Sequence, residues 1–188
     1  MRTRALIVLA VAALALSGCG DHNLVLRVDV LSYLTPALRA VAFGPVPVVP
    51  GGFATGEQAL VDDETINLLD GLNSVAEVRS VTIRLAAFAH DSTGSGSDTL
   101  RIYASDENTA PLTTPPVVQL VVALAAGQDT TLDVTVPGDA RVAELFVKRK
   151  MRLRVTTSLR GTAAGDPLNG RVELRAFEAI VIAGRKAL

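Results

Sequence analysis

The sequence predicts an all-β fold, an antiparallel β-sandwich of jelly-roll or immunoglobulin-like type with about eight to nine strands and one short helix. Three observations lead there. Apolar and polar residues alternate with a period of two through most of the chain, turn residues separate these segments at regular intervals, and a single stretch shows helical spacing.

The first strand opens where Leu24, Leu26, Val28 and Val30 alternate with Val25, Arg27, Asp29 and Leu31, and it runs to Tyr33-Leu34 before Pro36. Thr35 to Gly56 then carries Pro36, Pro45, Pro47 and Pro50 followed by Gly51-Gly52, which rules out a central strand or a long helix. Its apolar residues, Phe43 and Phe53 among them, fit an extended loop packed across one end of the sandwich, or an apolar flap over a pocket or a partner. Glu57 to Val61 and Thr65 to Leu69 read as two short strands around Asp62-Asp63-Glu64, with a turn at Asp70-Gly71.

Arg79 to His90 is a long alternating strand. The polar stretch from Asp91 to Ser97 is expected to be a flexible loop, and Leu100, Ile102 and Ala104 the return strand of a hairpin. Val117 to Leu124 is apolar except for Gln119, the pattern of a strand buried on both faces. After the turn at Ala126-Gly127, Leu132, Val134 and Val136 alternate up to Pro137. Asp139 has the makings of an N-cap, with Val142, Leu145 and Phe146 at helical spacing and Glu144 four residues before Lys148. Met151, Leu153 and Val155 alternate cleanly with Arg152 and Arg154. A loop ending in the turn dipeptide Asn169-Gly170 leads to the last strand, Arg171 to Ala183, with a bulge expected at Phe177-Glu178.

The N-terminus has a different character. Met1-Arg2-Thr3-Arg4 is a positively charged start, and Ala5 to Leu16 is an unbroken apolar run of twelve residues that ends in Ser17-Gly18. That order fits a secretory signal, too short in its apolar core for the ~20 residues of a membrane-spanning helix. Its end, Leu16-Ser17-Gly18-Cys19, resembles the lipobox of bacterial lipoproteins at all four positions. The resemblance implies a diacylglycerol on the Cys19 thiol, cleavage after Gly18 and acylation of the new amine. Gly20, rather than an aspartate, follows the cysteine, which in this family leans towards the outer membrane, its periplasmic face before the cell surface. The chain then divides into the signal at 1–18, the lipidated cysteine and a tether at 19–23, one sandwich domain over 24–184, and a tail at 185–188.

Once the signal's two arginines are removed, 16 basic residues face 19 acidic ones, too mild a balance to call for nucleic acid. Cys19 is the only cysteine, so acylation leaves no thiol for a disulfide. Catalysis has little to draw on. His22 belongs to the tether; His90, beside Asp91 and Ser92, could be a triad fragment, but neighbours on a strand point apart and no G-x-S-x-G surrounds a serine. Asp62-Asp63-Glu64, or Asp91 with Asp98, could offer oxygens to calcium, yet neither follows a calcium-loop spacing, and solvated acids are the commoner case. No metal and no cofactor is expected. With Tyr33 and Tyr103 as the only tyrosines and no tryptophan, an aromatic platform for carbohydrate is weakly supported.

One concentration of charge remains. Lys148, Arg149, Lys150, Arg152, Arg154, Arg160, Arg171 and Arg175 gather at the helix end and the final strands. They are either a solvated sheet face paired with Glu173 and Glu178, or a contact for anionic headgroups or an acidic partner, with Lys148, Arg149, Lys150, Arg152 and Arg154 its centre. The expected role is a non-catalytic, lipid-anchored component of the cell envelope that binds or builds. A carrier of lipids or apolar ligands and an envelope hydrolase are the alternatives. The expected partners are the membrane, through Cys19, and an envelope protein or lipid.

Overall fold

The structure, a computed structural model, describes residues 23–47, 53–55, 57–67, 75–148, 150–161 and 166–185. The expected signal, Cys19 and the expected tether up to His22 lie outside the described residues, as do Asp70-Gly71, Arg149 and residues 186–188.

In chain order the strands are β1 (Asn23–Asp29), β2 (Ala40–Val46), β3 (Phe53–Ala54), β4 (Gln58–Asn67), β5 (Val75–Thr93), β6 (Ser95–Asp106), β7 (Val118–Ala125) and β8 (Gln128–Pro137). The helix α1 (Ala140–Val147) follows, then β9 (Lys150–Gly161) and β10 (Leu168–Arg185). One sheet runs β8–β5–β10, with β1 and β2 end to end along the far edge of β10. The other runs β7–β6–β9, with β3 and β4 end to end along the far edge of β9. All the pairings are antiparallel.

The pairing is nested: β2 with β10, β4 with β9, β5 with β8, β6 with β7. One long antiparallel hairpin has rolled up, and successive pairs fall in alternate sheets. That is the jelly-roll order, and it decides between the two expected sandwich types.

Several expected neighbours are different in consequence. β5 and β6 do not form a hairpin. Gly94, at φ +87°, turns the chain from one sheet to the other, so the polar stretch from Asp91 to Ser97 is mostly strand. A Cβ there would sit 2.7 Å from the Asp166 carbonyl oxygen. β9 and β10 likewise lie in different sheets, and Asn169-Gly170 is inside β10 rather than in a turn. β1 stops at Asp29, whose carboxylate accepts from the Ser32 amide at 3.3 Å and caps a 3-10 turn over Val30–Tyr33.

The Pro-rich segment contributes a strand after all. β2 occupies a sheet edge, where a residue without an N–H is tolerated, and it buries Phe43 and Val46. β7 is also an edge strand, with Val121 62% exposed, and not the doubly buried one expected. The bulge in β10 falls at Arg175, between the pairs Leu174–Ala87 and Ala176–Ala86, so Phe177 and not Ala176 turns inward.

Facing rows fill the space between the sheets: Val81, Ile83, Leu85 and Ala87 from β5 and Leu174, Phe177, Ala179 and Val181 from β10, against Leu100 and Ile102 from β6 and Met151, Leu153 and Val155 from β9. α1 closes one end. Asp139 caps it as expected, accepting from the Val142 amide at 2.8 Å, and Val142, Leu145 and Phe146 point into the core. A second cluster, with Phe43, Val122, Leu159 and Leu168, fills the other end.

Candidate interaction surface

β9 presents Met151, Leu153 and Val155 to the core, which sends Arg152 and Arg154 to the outer face, as the alternation requires. What the sequence does not reveal is that these cations already have partners. Arg152 grips Asp63 with both Nε, at 2.7 Å, and Nη2. Arg154 Nη1 lies 2.8 Å from Asp62. Nearer α1 the contacts loosen: Lys148 is 3.6 Å from Asp106 and Lys150 3.9 Å from Glu107. The Asn108 amide and Lys148 hold the Asp106 carboxyl below its ordinary range.

A bulge in β4 makes the arginine pairs. Val61 and Glu64 pair with Val155 and Leu153, so two residues, Asp62 and Asp63, stand where one would fit, opposite Arg154. Asp63 takes the left-handed conformation at φ 60°, which aspartate tolerates better than most side chains. Strict alternation would have turned one acid inward. β4 is therefore one bulged strand, not two, and its acidic run neutralises β9. Two adjacent acids breaking a period-two pattern beside an Arg-x-Arg strand were the available signal.

Farther along the same face, Glu57 gathers a second cluster. Tyr103 Oη donates to its carboxylate at 3.1 Å, Thr156 Oγ1 at 3.0 Å, and Arg101 Nη1 lies 3.2 Å away. Burial, with the Glu57 charge adding to it, pushes the Tyr103 hydroxyl up. Tyr103 is only 7% exposed, so it offers no platform for a sugar ring, and Tyr33 sits apart on its 3-10 turn.

The remaining cations of the run divide. Arg160 is exposed at the far end of β9, while Arg171 and Arg175 belong to the other sheet and flank the Phe88 ring, Arg175 at 3.8 Å from its centroid. Glu173 and Glu178 serve that other sheet too, near Arg171, Arg84 and Arg27, and so do not pair with β9. The single patch becomes a band on β9 and a separate group on β10.

The other candidates resolve by direction. His90 Nδ1 lies 2.6 Å from Asp129 on the outer face, Asp91 points inward, and Ser92 Oγ donates to the Asn169 carbonyl at 2.5 Å. The three neighbours do not converge. Asp91 and Asp98 enter the interior from different sheets, both fully buried. Burial pushes both carboxyls up, Asp98 to about 6, although the Thr157 hydroxyl donates to one Asp98 oxygen. The other Asp98 oxygen has no partner, and the Asn169 and Thr93 amides moderate the Asp91 shift without closing to full hydrogen-bond geometry. Among the described residues no group of three or more His, Cys, Asp or Glu side chains gathers as a metal would require.

Between the sheets, beneath α1, Val30, Ile83, Phe146, Leu153 and Phe177 line an apolar void of about 10 Å³. A single water needs about that much.

No family model matches the chain. No curated protein matches it either. Among solved structures it is similar to dimeric latent PorU from Porphyromonas gingivalis, at 9% identity and a TM-score of 0.38 over 88% of this chain and 13% of that one. It is similar too to the subviral particle of infectious bursal disease virus, at 13% identity and a TM-score of 0.34 over 88% and 42% of the two chains. The coat protein of tobacco streak virus shares 13% identity at a TM-score of 0.26, with 90% and 91% covered. The chain thus spans a small fraction of PorU and under half of the first viral protein. These likenesses carry no functional reading.

Proposed function

We propose that this chain is a lipid-anchored, non-catalytic component of the bacterial cell envelope, held at the outer membrane through Cys19 and facing the periplasm, whose jelly roll works as a binding or structural module. The observation that carries the reading is Leu16-Ser17-Gly18-Cys19, placed after a charged start and a twelve-residue apolar run and four residues before the first strand. Two or three acyl chains, at ~0.8 kcal/mol per buried methylene, hold such a domain at the membrane without further contacts.

The interior favours a module that acts through its surface. A lipid carrier needs an enclosed cavity of several hundred Å³. Among the described residues the void between the sheets beneath α1 holds about 10 Å³. The larger space of about 370 Å³ beside α1, lined by Glu77, Arg79, Ala143 and Val147, is a groove open to solvent. The β9 band is less suited to anionic headgroups than its composition implies, because Lys148, Lys150, Arg152 and Arg154 each have a carboxylate within 4.0 Å.

The anchor is tested by metabolic labelling with a fatty acid. The wild type takes up label, and Cys19→Ala abolishes it and leaves the signal largely uncleaved. Equal labelling of the variant would overturn the lipoprotein reading.

A further inference from the structure

The chain enters the domain at the α1 end of the jelly roll. β1 begins at Asn23, paired with Gly184 near the end of β10, and Gly184 pairs in turn with Glu77 near the start of β5. β9 begins at this end and β6 finishes here, paired through Met151 and Asp106. α1 and the 107–117 loop close it, joined by Arg141, which donates to the Ala104 and Pro115 carbonyls at 3.0 and 3.1 Å. From Cys19 to Asn23 the chain advances four residues, a reach of at most ~14 Å fully extended.

This end also carries apolar side chains that the fold does not use. Val147, at the last position of α1, is 49% exposed; Leu112, in the loop, is 48% exposed; Val25, near the start of β1, is 63% exposed. Of the other exposed apolar residues, Tyr33 sits on the 3-10 turn after β1 and Val121 midway along β7. Around Gly94 and the β7–β8 turn at Ala126-Gly127 none of the described large apolar residues is exposed to that degree. The cations after Val147 are matched, Lys148 with Asp106 and Lys150 with Glu107. The groove that Val147 lines adds Glu77, Glu144 and Arg79, so no excess of positive charge stands beside it among the described residues. Such a surface suits a neutral interface better than an anionic one.

We propose that the α1 end, through Leu112 and Val147, is apposed to a zwitterionic phospholipid leaflet, the one that holds the acyl chains of Cys19. The proposal rests on the lipoprotein reading and adds to it an orientation: the jelly roll stands with α1 at the membrane and the β7–β8 turn directed away. β5, nineteen residues long, spans ~60 Å at ~3.3 Å per residue. An upright domain therefore keeps its far end well clear of the lipid.

The test uses the full acylated chain reconstituted in zwitterionic vesicles. Its only native cysteine is acylated, so a fluorophore reaches only an introduced one, at Leu112→Cys, Val147→Cys or Ala126→Cys. Nitroxide-bearing lipid is expected to quench the labels at 112 and 147 and to leave the label at 126 bright, with no loss of quenching at high salt. Quenching absent at 112 and 147, or equal at 126, in a chain whose N-terminal peptide carries the acyl mass would overturn the orientation and leave the anchor standing. An N-terminal peptide without acyl chains would overturn both. Quenching that appears only with anionic vesicles and disappears with salt would replace the apolar contact by a charged one.

Discussion

Gly170→Ala is expected to destabilise the fold by about 3 kcal/mol or more, at the upper end of what overpacking costs. Gly170 sits in β10 between two neighbours, opposite Asp91 of β5 and Phe43 of β2. A Cβ there would lie 2.0 Å from the His90 carbonyl oxygen, 2.9 Å from Phe43 Cζ and 3.0 Å from Asp91 Cα. The first and third of these are backbone of a strand paired along its whole length, so relief requires β5 and β10 to separate. Gly127→Ala is the control. It places a Cβ with nothing within 4 Å, at φ +69°, and should cost only the ~1–2 kcal/mol of the left-handed conformation. Urea denaturation of the anchor-free chain from Asp21 onward measures both, and equal midpoints would contradict the assigned register.

The second large effect is one of pH. Burial raises the Asp98 carboxyl from 3.8 to about 6. The folded state therefore holds this proton more tightly than the unfolded chain does. Stability from this group is fully present below pH ~4, falls as pH rises between ~4 and ~6, and is flat above that, the loss amounting to about 3 kcal/mol. Asp91, raised in the same direction and by the same cause, adds to the slope. Asp98→Asn keeps an oxygen for the Thr157 hydroxyl and removes the charge. The variant should be more stable than wild type at pH 7 and should lose most of the dependence. A wild-type melting temperature that rose between pH 4 and 6 would have the sign wrong.

How far this molecule is legible from its sequence depends on what alternation encodes. A period of two says which residues share a face, so the core rows of β5 and β9, that of β10 as far as Leu174, and the capped helix at Asp139 emerge from the sequence alone. The bulge at Arg175 shifts the rest of β10. Alternation does not say which strand lies alongside. Gly94 and Asn169-Gly170 therefore look like hairpin turns, when β5 and β6, and likewise β9 and β10, lie in opposite sheets. Composition misleads in β7, where Val121 and Ala123 are apolar but face outward at an edge. The same division holds at the surface. Arg152 and Arg154 are legible as outward cations, while Asp62 and Asp63 are distant in sequence and reach them only because a bulge turns both acids the same way.

A filled sandwich that works through its surface is tested most directly by native mass spectrometry of the domain from Asp21 onward, purified without denaturation. The expected spectrum is that of the bare polypeptide, because the space between the sheets beneath α1 is no larger than a water molecule needs. A stoichiometric apolar adduct, released on unfolding and restored on refolding with lipid, would contradict the filled core and put a carrier in its place.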